Sequence, residues 1–160
     1  MNNGEFCLQE AFDVIDEILE GGGEFRMYPR GVSMLPLIVQ DRDSVVLLRD
    51  HQTPAKKHDI AFYRRKSGQF VLHRVMKIEK DGSYTMCGDN QTVLEKGIKK
   101  EQIIGYVSRL YKGGKERNMR SLGYRLYIFF YCFMPLRKAI RFPKRAIMAV
   151  YRRVFRKNKA

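Results

Sequence analysis

The sequence predicts a mainly β protein. It reads as a small antiparallel β-domain with an amphipathic helix before it and a basic, amphipathic helical tail after it. Three observations predict this. Six short runs between Glu24 and Tyr111 are rich in β-branched and aromatic residues, as strands are. Turn signals such as Lys66-Ser67-Gly68 and Lys80-Asp81-Gly82 separate some of them at hairpin spacing. The charge is divided along the chain: residues 1–111 hold 16 Lys/Arg against 16 Asp/Glu, whereas residues 112–160 hold 15 against Glu116 alone. The net +14 of the 160 residues therefore lies wholly in the tail.

Taken in order, Phe6–Glu20 alternates apolar and acidic residues at helical spacing. Ala11, Phe12, Ile15, Ile18 and Leu19 share one face, with Glu10, Asp13, Asp16, Glu17 and Glu20 largely away from it. Gly21-Gly22-Gly23 ends it, as glycine does at a helix C-terminus. The expected strands are residues 24–28, 44–49, 60–64, 69–79, 83–88 and 103–111. "KGGKERN" (112–118) reads as a linker. The tail then opens with "LYIFFYCFMPL" (126–136), nearly all apolar and broken by Pro135. In "KRAIMAVYRRVFRK" (144–157), Ile147, Val150, Tyr151, Val154 and Phe155 share a face, and Arg145, Arg152, Arg153 and Arg156 lie largely elsewhere. This divides the chain into an N-terminal helix (1–23), a β-domain (24–111) and a basic tail (112–160).

Cys7, Cys87 and Cys132 are widely spaced and odd in number. That pattern fits a reducing compartment and argues against a zinc cage. No metal or cofactor is expected. The N-terminus lacks the basic and long apolar regions of a cleavable signal, and no run reaches the roughly 20 apolar residues that span a bilayer. A neutral body with a basic tail points to a surface anionic partner. The aromatic and aliphatic content of the tail favours an anionic membrane surface over nucleic acid, and no specific nucleic acid is expected.

Three residues stand out chemically. Ser33 in "RGVSMLP" is either ordinary turn chemistry or a nucleophile at the mouth of a β-fold. A serine hydroxyl needs a base with a pKa near the working pH, so the histidines are candidates. His51 and His58 lie in the polar stretch "RDHQTPAKKHD" and read as solvated. His73 lies within the apolar strand "FVLHRVMKI", as a satisfied core histidine or as the base. Asp89, after Gly88 in "MCGDNQ", is either a turn aspartate or a carboxylate that orients His73.

"GVSMLP", "DSVVLL", "HDIAFYR" and "FVLHRVMKIEKDGSYTMCGDNQ" together resemble the signal peptidase I superfamily of serine endopeptidases, which includes the self-cleaving SOS repressors. The resemblance spans roughly residues 25–111. His73-Arg74-Val75 stands where the usual bacterial enzymes carry Lys-Arg-Val, which is similar to the archaeal, endoplasmic-reticulum and sporulation types. The resemblance implies a signal-peptidase-like β-fold, Ser33 as nucleophile, His73 as general base and Asp89 as orienting acid. Met34 and Pro36 would shape the site. Asp43 would be a structural aspartate, and His58 would stand at a structural position that is glycine in the family. Glu95 would at best replace a further family aspartate. Gly31 stands where many relatives carry a second serine, so an oxyanion hole would be built from backbone N–H groups, that of Ser33 among them. The family's N-terminal membrane anchor has no counterpart in these residues.

The expected activity is cleavage of signal or leader peptides in a peptide or preprotein substrate, by a membrane-associated enzyme held through its tail. Two alternatives stand beside it. One is a dedicated leader-peptide maturation protease on the cytoplasmic side. The other is a catalytically inactive β-module that binds anionic membrane or nucleic acid.

Overall fold

Side chains alternate in a strand, so a run such as "SVVLL" or "IAFYR" is stable only where both faces are covered or where the polar face meets water. The structure, a computed structural model, describes residues 8–49 and 55–137, with side chains from Phe12 onward. His51, Cys7, Phe6 and the 144–157 segment lie outside the described residues. The described residues hold helix α1 (Leu8–Glu20) and strands β1 (Phe25–Met27), β2 (Ser44–Leu48), β3 (Ile60–Arg64), β4 (Phe70–Ile78) and β5 (Tyr84–Cys87). After these come β6 (Glu95–Ile98), β7 (Ile103–Lys112), β8 (Lys115–Arg117) and helix α2 (Leu122–Cys132). The protein is mainly antiparallel β, as expected.

One sheet carries all the strands in the order β1-β2-β7-β3-β4-β5-β6, with β8 also paired to β7. The expected hairpins are present: Gly68 and Gly82 take the left-handed backbone (φ 85° and 80°) that their turns require. Two expectations need correction. β6 was not anticipated, and "KGGKERN" is no linker. Lys112 ends β7, Gly113 and Gly114 make the turn, and Lys115–Arg117 return as β8. The chain divides instead after Arg120, into units of residues 1–120 and 121–160.

Helix α1 buries Ile15 and Leu19 and stacks Phe12 on Phe70. Ile18, expected on the buried face, is 38 % exposed. The triglycine closes the helix with two bonds: Gly23 N–H donates to Ile18 O (2.9 Å) and Gly22 N–H to Leu19 O (3.1 Å). Gly22 at φ 76° supplies the left-handed residue that this closure needs. Arg49 then ties the helix to the sheet. It donates to Asp16 and Glu20 on α1 and to the carbonyls of Ile103 and Ile104 at the start of β7. On one face of the sheet, Ala61, Tyr63, Val75, Tyr84, Met86, Ile98 and Ile103 form a buried cluster.

In the second unit, Ser121 caps α2 by accepting from Tyr124 N–H (3.3 Å). Tyr124, Tyr127 and Tyr131 stack along one side at helical spacing. Leu122, Leu126, Phe129, Phe130 and Phe133 are exposed. No helix among the described residues is long and apolar enough to cross a membrane.

Candidate active site

Ser33 lies in the turn between β1 and β2. Met34, Leu37 and Ile38 plug the turn into the core, and Ile38 N–H donates to Met34 O (2.9 Å). The Leu35–Pro36 peptide is cis. Asp43 fastens the far end. Fully buried, it accepts from Val39 N–H (2.9 Å), Gly113 N–H (3.1 Å) and the Arg42 side chain (2.7 and 2.8 Å). The bonds from Arg42 lead in holding its carboxyl near a pKa of about 2, against the cost of burial. These contacts match the structural role expected of Asp43.

A second fastening holds Ser33 itself. Asn90 N–H donates to Ser33 O (2.7 Å), and its side-chain amide donates to Val32 O (2.9 Å). The loop after β5 therefore grips the serine turn. Gly88 begins that loop. A Cβ there would lie 2.6 Å from Ser33 O and 3.1 Å from His73 Nε2, so only glycine lets the two approach this closely. Ser33 and His73 line one cavity of about 200 Å³, together with Arg30, Met34, Gln69 and Gln91 among others. Among the described residues, neither the hydroxyl nor the backbone N–H of Ser33 has a hydrogen-bond partner. The N–H is thus available to an oxyanion. That of Gly31 is not, because it donates to Gln40 Oε1 (2.7 Å).

His73 sits at the middle of β4 and is 2 % exposed. Its Nδ1 lies 3.2 Å from the Tyr63 hydroxyl. That hydroxyl donates to Glu95 Oε2 (2.8 Å), which also accepts from Arg65 (2.6 Å). Burial, then the nearby Arg65 charge, pushes the His73 pKa down to about 4, with Glu95 and Asp89 pulling the other way. At neutral pH the ring is an uncharged base. Glu95 is opposed by its own burial, but its bonds from Arg65 and Tyr63 outweigh this and lower its pKa.

The resemblance implies Asp89 as the acid that orients His73; in the structure Asp89 lies in a turn and pairs with Arg74. Both of its oxygens accept from Arg74, at 2.8 Å from Nε and 2.7 Å from a terminal nitrogen, and both side chains are fully buried. Arg74 also donates to His58 O (2.8 Å). Among the described residues, Glu95 is the acid paired with His73, 4.0 Å from Nδ1. Arg74 faces Cys87 across β4 and β5, and Asp89 follows in the turn after β5, where its carboxylate meets Arg74.

His58 has a positive φ of 80°, which is the conformation that favours glycine. Its N–H donates to Val75 O (2.7 Å), and burial leads in lowering its pKa. Its backbone is used by the fold, in agreement with the structural reading. The residue that sequence reasoning missed is Tyr63. It read as one more strand aromatic, and only the β3–β4 register brings it diagonal to His73, since Ala61 faces His73 and Tyr63 faces Val71. Compared with profiles of known families, with curated proteins and with solved structures, the chain matches none.

Proposed function

We propose that the chain is a serine endopeptidase of the signal peptidase I type, built on a signal-peptidase-like β-fold and acting on signal or leader peptides. The observation that carries this reading is the shared cavity of Ser33 and an uncharged His73, brought together over Gly88. Ser33 Oγ attacks the scissile carbonyl carbon while His73 Nε2 takes its proton, and the Ser33 N–H meets the developing oxyanion. The carbon–nitrogen bond then breaks, and the same proton passes to the leaving amine. Water attacks the resulting ester with His73 again as base, which releases the acid and restores Ser33. The direct test is a fluorophosphonate probe. Ser33 becomes covalently labelled in the full chain, and Ser33→Ala abolishes labelling. Absence of label on the folded wild-type chain would leave only a binding module.

The enzyme would work at an anionic membrane surface, held through its tail. The observation behind this is the exposed row Leu122, Leu126, Phe129 and Phe130 on α2 with Phe133 at its C-cap, in the part of the chain that holds the whole charge excess. An 11-residue helix is only ~16 Å long, about half of a bilayer core, so it would lie in the interface. The full chain should pellet with anionic vesicles, more weakly as salt rises, but with a salt-resistant remainder. Each inserted phenyl ring contributes about 1.5–3 kcal/mol. Joint Phe129→Ser and Phe130→Ser substitution should therefore weaken binding by roughly 10²-fold or more and remove that remainder. The strand pairing of residues 112–117 means that a truncation meant to remove the tail must end at Arg120, not at Tyr111. Equal pelleting of a chain that ends at Arg120 would take the tail out of membrane binding.

A further inference from the structure

Behind the candidate base lies a chain of polar groups that neither composition nor spacing announces. His73 Nδ1 is 3.2 Å from the Tyr63 oxygen, and the Tyr63 hydroxyl is 2.8 Å from Glu95 Oε2. The direct His73–Glu95 separation is 4.0 Å, too long for a hydrogen bond, so the phenol bridges the two. Glu95 is held as a carboxylate by Arg65, which bonds both of its oxygens. A carboxylate only accepts, so the phenol proton points to Glu95. The phenol oxygen is left with lone pairs toward His73, and the only stable partner for them is an N–H on Nδ1. A neutral imidazole carries one proton, so Nε2 is bare. That atom is the one packed against Gly88, on the side of Ser33 O.

We infer that Tyr63 is a positioning residue for His73: its hydroxyl, oriented by Glu95, fixes the ring in the tautomer that leaves Nε2 unprotonated toward the Ser33 cavity. The catalytic consequence rests on the peptidase reading, whereas the tautomer does not. When Nε2 takes the Ser33 proton, the positive ring keeps its Nδ1–H on the phenol, and the phenol keeps its proton on Glu95. No proton needs to move along this chain. The carboxylate charge is felt through a bridge in place of direct contact with the ring.

Several groups face His73. Tyr63 comes from β3, Arg65 from just beyond it, Glu95 from the start of β6, Asp89 from the loop after β5, and Arg30 lines the cavity on the serine side. Tyr63→Phe removes only the bridge oxygen and leaves these charges in place.

The test uses the full chain with ¹⁵N-labelled histidine, the His73 signals being assigned by their loss in His73→Ala. In the wild type, His73 should show a protonated Nδ1 and a bare Nε2. In Tyr63→Phe this preference should collapse toward a mixture, and the ring should charge at a pH lower by about one unit, because the imidazolium loses an acceptor. Glu95→Gln should scramble the tautomer as well, since an amide can also donate to the phenol. The rate of Ser33 phosphonylation should fall on the order of 10²-fold in Tyr63→Phe, as expected when a base is no longer aimed. An unchanged tautomer in Tyr63→Phe would overturn the inference. A wild-type chain that never labels at Ser33, yet whose tautomer responds to Tyr63→Phe, would overturn the peptidase reading alone and uphold the role of Tyr63.

Discussion

Asp89→Ala should cost the fold about 3–5 kcal/mol, the loss expected when one partner of a buried ion pair is removed. That is a large share of the 5–15 kcal/mol by which domains are stable, so the variant should be largely unfolded under mild denaturant. Arg74 and Asp89 are both within 1 % of complete burial, and Arg74 makes two bonds to the carboxylate and one to His58 O. A guanidinium cannot shed its proton to escape the loss. The loss should be reversible by design: Arg74→Met combined with Asp89→Leu removes both charges and should recover much of the stability. Urea midpoints of the single and double variants check this. A stable Asp89→Ala chain that fails only in labelling would return Asp89 to the catalytic role that the family resemblance implies.

His73→Ala should lower Ser33 labelling by roughly 10²–10⁴-fold, the usual contribution of a positioned general base. In the wild type, the labelling rate should rise with pH through a single ionisation near about 4 and be flat at neutrality, because burial holds the ring uncharged. A rate that still rises between about 6 and 7 would show that burial does not govern this histidine. The same depression has a stability signature. Between about 4 and the ordinary histidine value of 6.5, the unfolded chain binds a proton that the folded chain refuses. Stability therefore falls as pH drops across that window, by an amount of order 3 kcal/mol, and His73→Ala should flatten the slope there. Unfolding free energies at several pH values test the sign.

The strands that were legible in the sequence owe it to dense β-branched and aromatic side chains: "SVVLL", "IAFYR" and "FVLHRVMKI" bury nearly all their central residues. The two that escaped notice are edge pieces without that signature. β6 reads Glu95-Lys96-Gly97-Ile98 and buries Ile98 alone, and β8 is Lys115-Glu116-Arg117, wholly exposed. Their strand character comes from the neighbours that pair with them, which local propensity cannot express. The site divides in the same way. Ser33 and His73 were readable as candidates by residue type and order, and the structure sets both on one cavity. The partner of His73 was not readable, because the turn after β5 sets Asp89 on Arg74, which residue type and order do not express. Tyr63 required the register of β3 against β4, a long-range fact. His58 was readable as structural only through a family position that is glycine; its positive φ gives the reason.

The place of β7 in the sheet bears on when Ser33 and His73 can come together. β7 joins two halves: β2 pairs with one of its edges and β3 with the other. Ser33 hangs from the β1–β2 half, and His73 belongs to the β3–β6 half. During synthesis the two halves can form as separate meanders, but the sheet has no strand to join them until Ile103–Lys112 has left the ribosome. Loop closure on that scale is slow compared with local pairing. The strand that joins the two halves is thus made only after both Ser33 and His73, so a nascent chain carries these two residues on unjoined pieces until β7 is in place.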